Sequence, residues 1–156
     1  MIITSPDTYI DLQLPSIFIA GGITNCPNWQ SYVCSEIDKA VPDELLIYNP
    51  RQINYNTDIG SAEFQIEWEF KRLRQSNFLF FWFSQGSLNP ITLLEYGKYV
   101  LNKSTFDGVY VGCHPNYERK FDVKLQAELQ FGTDITIFTD LQSLTAHTIK
   151  DLYSRL

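Results

Sequence analysis

Cations are scarce in this 156-residue chain: 12 Lys and Arg stand against 18 Asp and Glu, a formal charge of −6. Without a Lys/Arg stripe to neutralise phosphates, a nucleic-acid polymer is excluded as partner, whereas a short anion held by one Arg and backbone amides is not. Cysteine is also sparse. Cys26, Cys34 and Cys113 are odd in number and lack CxxC spacing, which fits a reducing cytosol better than a disulfide framework. His114 and His147 stand in no metal-ligand spacing with cysteine or acid, so no metal is expected. No apolar run approaches the roughly 20 residues needed to cross a bilayer. The N-terminus has no basic segment leading into an apolar one, so the expectation is a cytoplasmic protein with neither membrane span nor signal peptide. No GxGxxG follows the first strand, which argues against a dinucleotide site.

What the chain has is apolar and aromatic material, 44% hydrophobic and 15% aromatic, enough for one domain spanning 1–156 with a real core. Asn77–Lys98 organises the rest. Phe78–Phe83 (FLFFWF) is an apolar run suited to a strand covered on both faces, and Asn89-Pro90 opens a helix that carries Glu95. Asn89 is expected as N-cap and Pro90 as first helical residue. Around this unit, strands at Ser16–Ala20, Glu44–Tyr48, Asp107–Val111 and Asp134–Phe138 alternate with helices at Pro27–Ala40, Ser61–Gln75, Pro90–Asn102, Asp122–Phe131 and Leu141–Leu156. An edge strand is expected at Thr8–Leu12. Alternation of this kind predicts an α/β, flavodoxin-like doubly wound sheet of about five parallel strands, order 2-1-3-4-5.

Ligands in such sheets bind beyond the carboxyl ends of strands, and that narrows the candidates. Glu95 follows the most apolar strand. With Ile91, Leu94 and Leu101 as core stripe it falls on the margin of the buried face, where it either pairs with Lys98 or Lys103 or faces a ligand. Gly97 inside the helix costs about 1 kcal/mol against Ala, read as a sign of close backbone approach. In the preceding helix Ala62, Ile66, Phe70 and Leu73 form the expected inner face, which leaves Glu63 and Glu67 solvated and sets Glu69 at the boundary, near Arg72. Two carboxyls beside one pocket suit cleavage of a glycosidic bond, one stabilising or attacking the cationic sugar carbon and the other protonating the departing group. Ala20-Gly21-Gly22 permits close ligand approach at the first strand end. Arg51 offers a guanidinium at the second, either to an anion or to a loop acid, and His114 is a possible proton donor at the fourth. Nothing supports an activated cysteine thiolate.

In order along the chain stand IFIAGGI, NWQ, YNPR, FQIEWEFKRLRQSNFLFFWF, PITLLEYG and VGCHPNYERKFDVKLQ. This ordered set, covering Ser16 to Gln126, resembles the nucleoside 2-deoxyribosyltransferase-like superfamily, in particular its branch with a His-Pro-x-Tyr-x-Arg-x-x-Asp-Val stretch, here His114 to Val123. The resemblance implies a flavodoxin-like fold and a glutamate nucleophile, Glu95, that takes the sugar from the base. It implies a carboxylate at Glu69 that binds or protonates the base, a first-strand loop at Ala20–Gly22 against sugar or 5′-phosphate, and no cofactor. It also implies a small-molecule nucleoside or nucleotide as partner, and a homodimer or higher homo-oligomer whose neighbouring subunit helps close the pocket. Asn89 stands where the transferases carry an aspartate that orients the nucleoside, and Phe18 where they carry a tyrosine. Transfer to another base, hydrolysis of nucleoside 5′-monophosphates with Arg51 on the phosphate, and a nucleotide-sensing module without turnover all follow from the same likeness. A flavin carrier of the same fold would need a Ser/Thr-rich phosphate cradle that the first loop lacks.

Overall fold

The computed structural model describes residues 1–9, 13–53, 59–101, 106–132 and 135–156. In chain order these form β1 (Ile2–Thr4), β2 (Ser16–Gly21), α1 (Trp29–Ala40), β3 (Leu46–Asn49), α2 (Ile59–Gln75), β4 (Phe78–Phe83) and α3 (Pro90–Glu95). A π-helical turn (Tyr96–Val100) continues α3, and β5 (Gly108–Cys113), α4 (Lys120–Phe131), β6 (Ile137–Phe138) and α5 (Leu141–Arg155) complete the order. The strands make one parallel sheet, β1-β3-β2-β4-β5-β6. The expected doubly wound order is present in β3-β2-β4-β5-β6, and β1 extends it at the β3 edge. That edge strand lies at Ile2–Thr4; Thr8 and Tyr9 are not in a strand, and residues 10–12 lie outside those described.

Every residue of β4 is buried, because helices cover both of its faces. On one side Phe81, Phe83 and Leu79 pack with Trp68 and Leu73 of α2, Tyr96 and Tyr99 of the π turn, and Val123 and Ala127 of α4. On the other, Phe78, Phe80 and Trp82 pack with Trp29, Val33 and Ile37 of α1 and Leu144 and Leu152 of α5. Burying one such large apolar side chain contributes about 1.5–3 kcal/mol, so this strand anchors both layers.

Two helices are rotated from their expected faces. In α2 the inward residues are Gln65, Trp68, Arg72 and Leu73, while Ile66 is 67% exposed and Phe70 is also exposed. In α3 and the π turn the inward residues are Thr92, Tyr96, Tyr99 and Val100, with Ile91 and Leu94 at 59% and 66% exposure. The apolar pattern pointed to the wrong face because tyrosine, tryptophan and arginine supply the buried contacts: the Arg72 guanidinium lies 4.8 Å from the Tyr48 ring centroid and 5.7 Å from that of Trp68. The expected close approach at Gly97 is also absent. Gly97 is exposed, and a Cβ there would meet open space. The helix changes its hydrogen-bonding period at Tyr96 instead.

Candidate active site

All six strands are parallel, so their carboxyl ends share one edge. The β2 end (Ala20, Gly21, Gly22), the β3 end (Asn49, Pro50, Arg51), the loop from β4 to α3 and the β5 end (His114) meet there. Two glycines let the loops close. A Cβ on Gly21 would lie 2.3 Å from the Trp29 ring and 2.4 Å from the Trp82 carbonyl, and one on Gly22 would lie 1.8 Å from Asn89 Oδ1. Asn89 is buried in the left-handed region (φ 48°), where asparagine is better tolerated than most residues. It occupies the position before α3 but makes no side-chain cap. Its Nδ2 donates to the Ser84 carbonyl at 3.1 Å, and its Oδ1 accepts from the Cys26 thiol at 3.6 Å. Asn89 therefore ties the β2 loop to the β4 loop.

Among the described residues Arg51 pairs with no acid. Its guanidinium donates to the carbonyls of Pro27 (2.8 Å) and Cys26 (3.1 Å) and to Gln30 Oε1 (3.0 Å), bracing the segment that enters α1. Phe18 is a core residue, its ring 6.2 Å from that of Trp68, the neighbour of Glu69 in α2. His114 is half-buried, with Nδ1 accepting from the Asn116 amide at 3.1 Å and its ring edge-on to Trp82. All three cysteines are buried and free. Burial pushes the Cys34 and Cys113 thiols up to about 12 and raises Cys26 as well, so none is an activated thiolate at neutral pH. Among the described residues no group of three metal-binding side chains occurs, and no helix is long and apolar enough to cross a membrane.

The two singled-out acids come together although 26 positions separate them (95 − 69). Thr92, Tyr96 and Tyr99 set Glu95 on the inner side of its helix. Trp68, Arg72 and Leu73 do the same for Glu69. Arg72, three residues on from Glu69, makes no ion pair with it, its guanidinium being turned to Tyr48 and Trp68. Burial raises Glu69, offset by a hydrogen bond from Gln65 Nε2 to its Oε1 at 2.7 Å. Glu95 is pushed up to about 8, first by burial, then by the charge on Glu69, with Lys98 opposing.

Among the described residues no hydrogen bond or ion pair engages the Glu95 carboxyl, and no fully buried side-chain oxygen or nitrogen lacks a partner. Glu95 is half-buried rather than sealed in the core. Two clefts lined by described residues lie elsewhere. One, of about 220 Å³, lies beside Trp68 and Arg72, and the other, of about 420 Å³, lies at the opposite edge of the sheet beside Leu14 and Phe78.

Sequence reasoning missed the polar residues behind Glu69. Gln65, Gln52 and Ser5 form one hydrogen-bonded cluster with it. The only trace in the sequence is the i, i+4 spacing of Gln65 and Glu69, which does not tell which helix face is buried.

A family described as nucleoside 2-deoxyribosyltransferase like matches residues 14–117. That span contains both acids and the β2, β3, β4 and β5 strand-end residues placed above, but not Ser5. No curated protein matches the chain.

Proposed function

The chain belongs to the nucleoside 2-deoxyribosyltransferase like family, and from that premise we propose that it cleaves the N-glycosidic bond of a (deoxy)nucleoside or nucleoside 5′-monophosphate. The observation that carries this reading is the pair Glu95 and Glu69: two partly buried carboxyls in electrostatic contact, with Glu95 free of protein hydrogen bonds among the described residues. In the cleavage step a Glu95 oxygen attacks C1′ as the C1′–N bond breaks. The bond electrons go to the base nitrogen, and the proton held by the carboxyl pair goes to the base through Glu69. The resulting glycosyl ester is then opened by a second base or by water, with Glu69 taking the proton from the incoming nucleophile. The carboxylate supplies the electron pair, so the reaction needs no cofactor.

Gly21 and Gly22 let the β2 end close against Trp29, Trp82 and Asn89 rather than opening space for a ligand, and Arg51 and Asn89 hold the loops at that edge. His114 lies on the same edge, within the matched span. Exposed apolar side chains cover the outer side of the two acid-bearing helices and of α4: Ile66, Phe70, Ile91, Leu94, Phe121 and Leu129. This supports a homo-oligomer formed through that face.

The test is to incubate the protein with deoxynucleosides, ribonucleosides and their 5′-monophosphates, with and without an acceptor base, and to follow released base. Release by the wild-type protein and its loss by about 10³-fold or more in Glu95→Gln is expected. Ligand-induced thermal stabilisation with no product from any substrate would instead favour a binding module.

A further inference from the structure

The amide of Gln65 is saturated and one-way. Gln65 is 8% exposed. Its Oε1 accepts from the Ser5 hydroxyl at 2.5 Å and from Gln52 Nε2 at 2.5 Å, while its Nε2 donates to the Pro50 carbonyl at 2.9 Å and to Glu69 Oε1 at 2.7 Å. A side-chain amide has two acceptor sites and two donors, and all four are used. Flipping it would set its NH₂ against the Gln52 NH₂ and its oxygen against both the Pro50 carbonyl and the Glu69 carboxylate. Three adverse contacts therefore fix the direction in which the N–H points. Ser5 is also buried and takes a second bond from Gln52 Nε2 at 3.2 Å, so the end of β1 holds the relay from behind.

We propose that Gln65 is a positioning residue: clamped by Ser5 and Gln52, it holds one oxygen of Glu69 and leaves the other aimed at the substrate's base. This rests on the cleavage reading and adds to it a part for β1 and the β3–α2 loop. An N–H given to a carboxylate oxygen favours the ionised form. Gln65 thus keeps Glu69 charged in the empty site and leaves the proton of the pair on Glu95, from which it must pass to the base side when the bond breaks. Among the described residues the charge coupled to Glu69 is Glu95 on α3; Lys98 on the π turn acts on Glu95 (its ammonium 4.6 Å from the Phe70 ring centroid), and Arg72 on α2 is turned to Tyr48.

The experiment reads the Glu69 and Glu95 side-chain carboxyls by ¹³C NMR titration without substrate, assigned with Glu69→Gln and Glu95→Gln, and separately the pH profile of kcat/KM for base release. Gln65→Leu should move the Glu69 midpoint up by about one pH unit, the size expected for loss of a hydrogen bond to a charge. It should lower kcat/KM by about 10-fold or more with a displaced pH profile. Gln65→Leu strands Ser5 and Pro50, so Ser5→Ala serves as the milder variant. It keeps the Glu69 bond but frees one side of the clamp, and a smaller shift in the same direction is expected. An unchanged Glu69 titration in both folded variants overturns the proposal. A shifted titration in a protein that releases no base from any substrate overturns the cleavage reading and leaves the Gln65–Glu69 coupling standing.

Discussion

Glu95 lies where both burial and the Glu69 charge oppose its ionisation, so the folded chain binds a proton there that the unfolded chain releases. Between the usual value near 4.5 and the native value of about 8, native Glu95 is protonated and unfolded Glu95 is not. The unfavourable contribution of Glu95 therefore grows as pH rises through that window and is complete above it. Glu95→Gln removes it. The variant should be more stable than wild type at pH 8.5, by about 1–3 kcal/mol after allowance for water reaching the half-buried carboxyl. The advantage should shrink toward zero near pH 4.5, and thermal melts at the two pH values check it. The same acid sets the rate. The proton that the cleavage step gives to the base is the one the pair loses near 8, so kcat/KM falls as pH rises along a limb whose apparent value belongs to the coupled pair. Removing the Glu69 charge lowers Glu95, so residual activity of Glu69→Gln should show that limb displaced to lower pH, with the maximum reduced about 10²–10⁴-fold.

α3 is too short and too irregular to hold Glu95 by itself. It spans Pro90–Glu95, begins at a left-handed residue without a side-chain cap, and passes directly into a π turn. Its placement comes from anchors at either end. Asn89 reaches Gly22, Cys26 and Ser84 at the start, and the Tyr96 hydroxyl donates to the Val123 carbonyl at 3.3 Å beyond it. A π turn redirects the side chains that follow it, which is how Tyr96, Tyr99 and Val100 all face the core although Ile91 and Leu94 do not. Asn89→Asp gives the residue type found in the related transferases, but it removes the Nδ2 donor and faces a carboxylate oxygen to the Ser84 carbonyl. It should destabilise the protein by about 1–3 kcal/mol, measured by chemical denaturation. Gly22→Ala presses a methyl into Asn89 Oδ1 and should cost a similar amount, about 1–3 kcal/mol, while reducing base release because the two loops must separate.

At the scale of the whole molecule, the rotations of α2 and α3 have one shared consequence. Ile66, Phe70, Ile91 and Leu94 face outward on neighbouring helices, with Lys98 bridging them over the Phe70 ring, and α4 adds Phe121 and Leu129 at i, i+8. Sedimentation velocity should find a self-associated species, and Leu94→Glu combined with Phe121→Glu should convert it to monomer with the circular dichroism spectrum retained. A wild-type monomer at micromolar concentration would refute the self-association.

Runs such as FLFFWF and SIFIA, separated by Gly, Pro and Asn, were sufficient to predict the parallel doubly wound sheet, because a strand buried on both faces leaves an uninterrupted apolar signature and the right-handed crossover rule removes most other orders. Glu95 stood out because it lies close behind the β4–α3 boundary, and Glu69 because it falls between Ile66 and Leu73 at the margin of a helix face, although Ile66 is exposed in the structure. Helix rotation was not legible. Ile66 and Leu94 are as apolar as core residues, and only contact with the sheet determines that Trp68, Arg72 and Tyr96 take the inner positions. The coupling of the two acids, the Asn89–Gly22 contact and the four bonds of Gln65 likewise join residues from 4 to 67 positions apart. Such distances in space are set by packing, and the tertiary structure alone decides them.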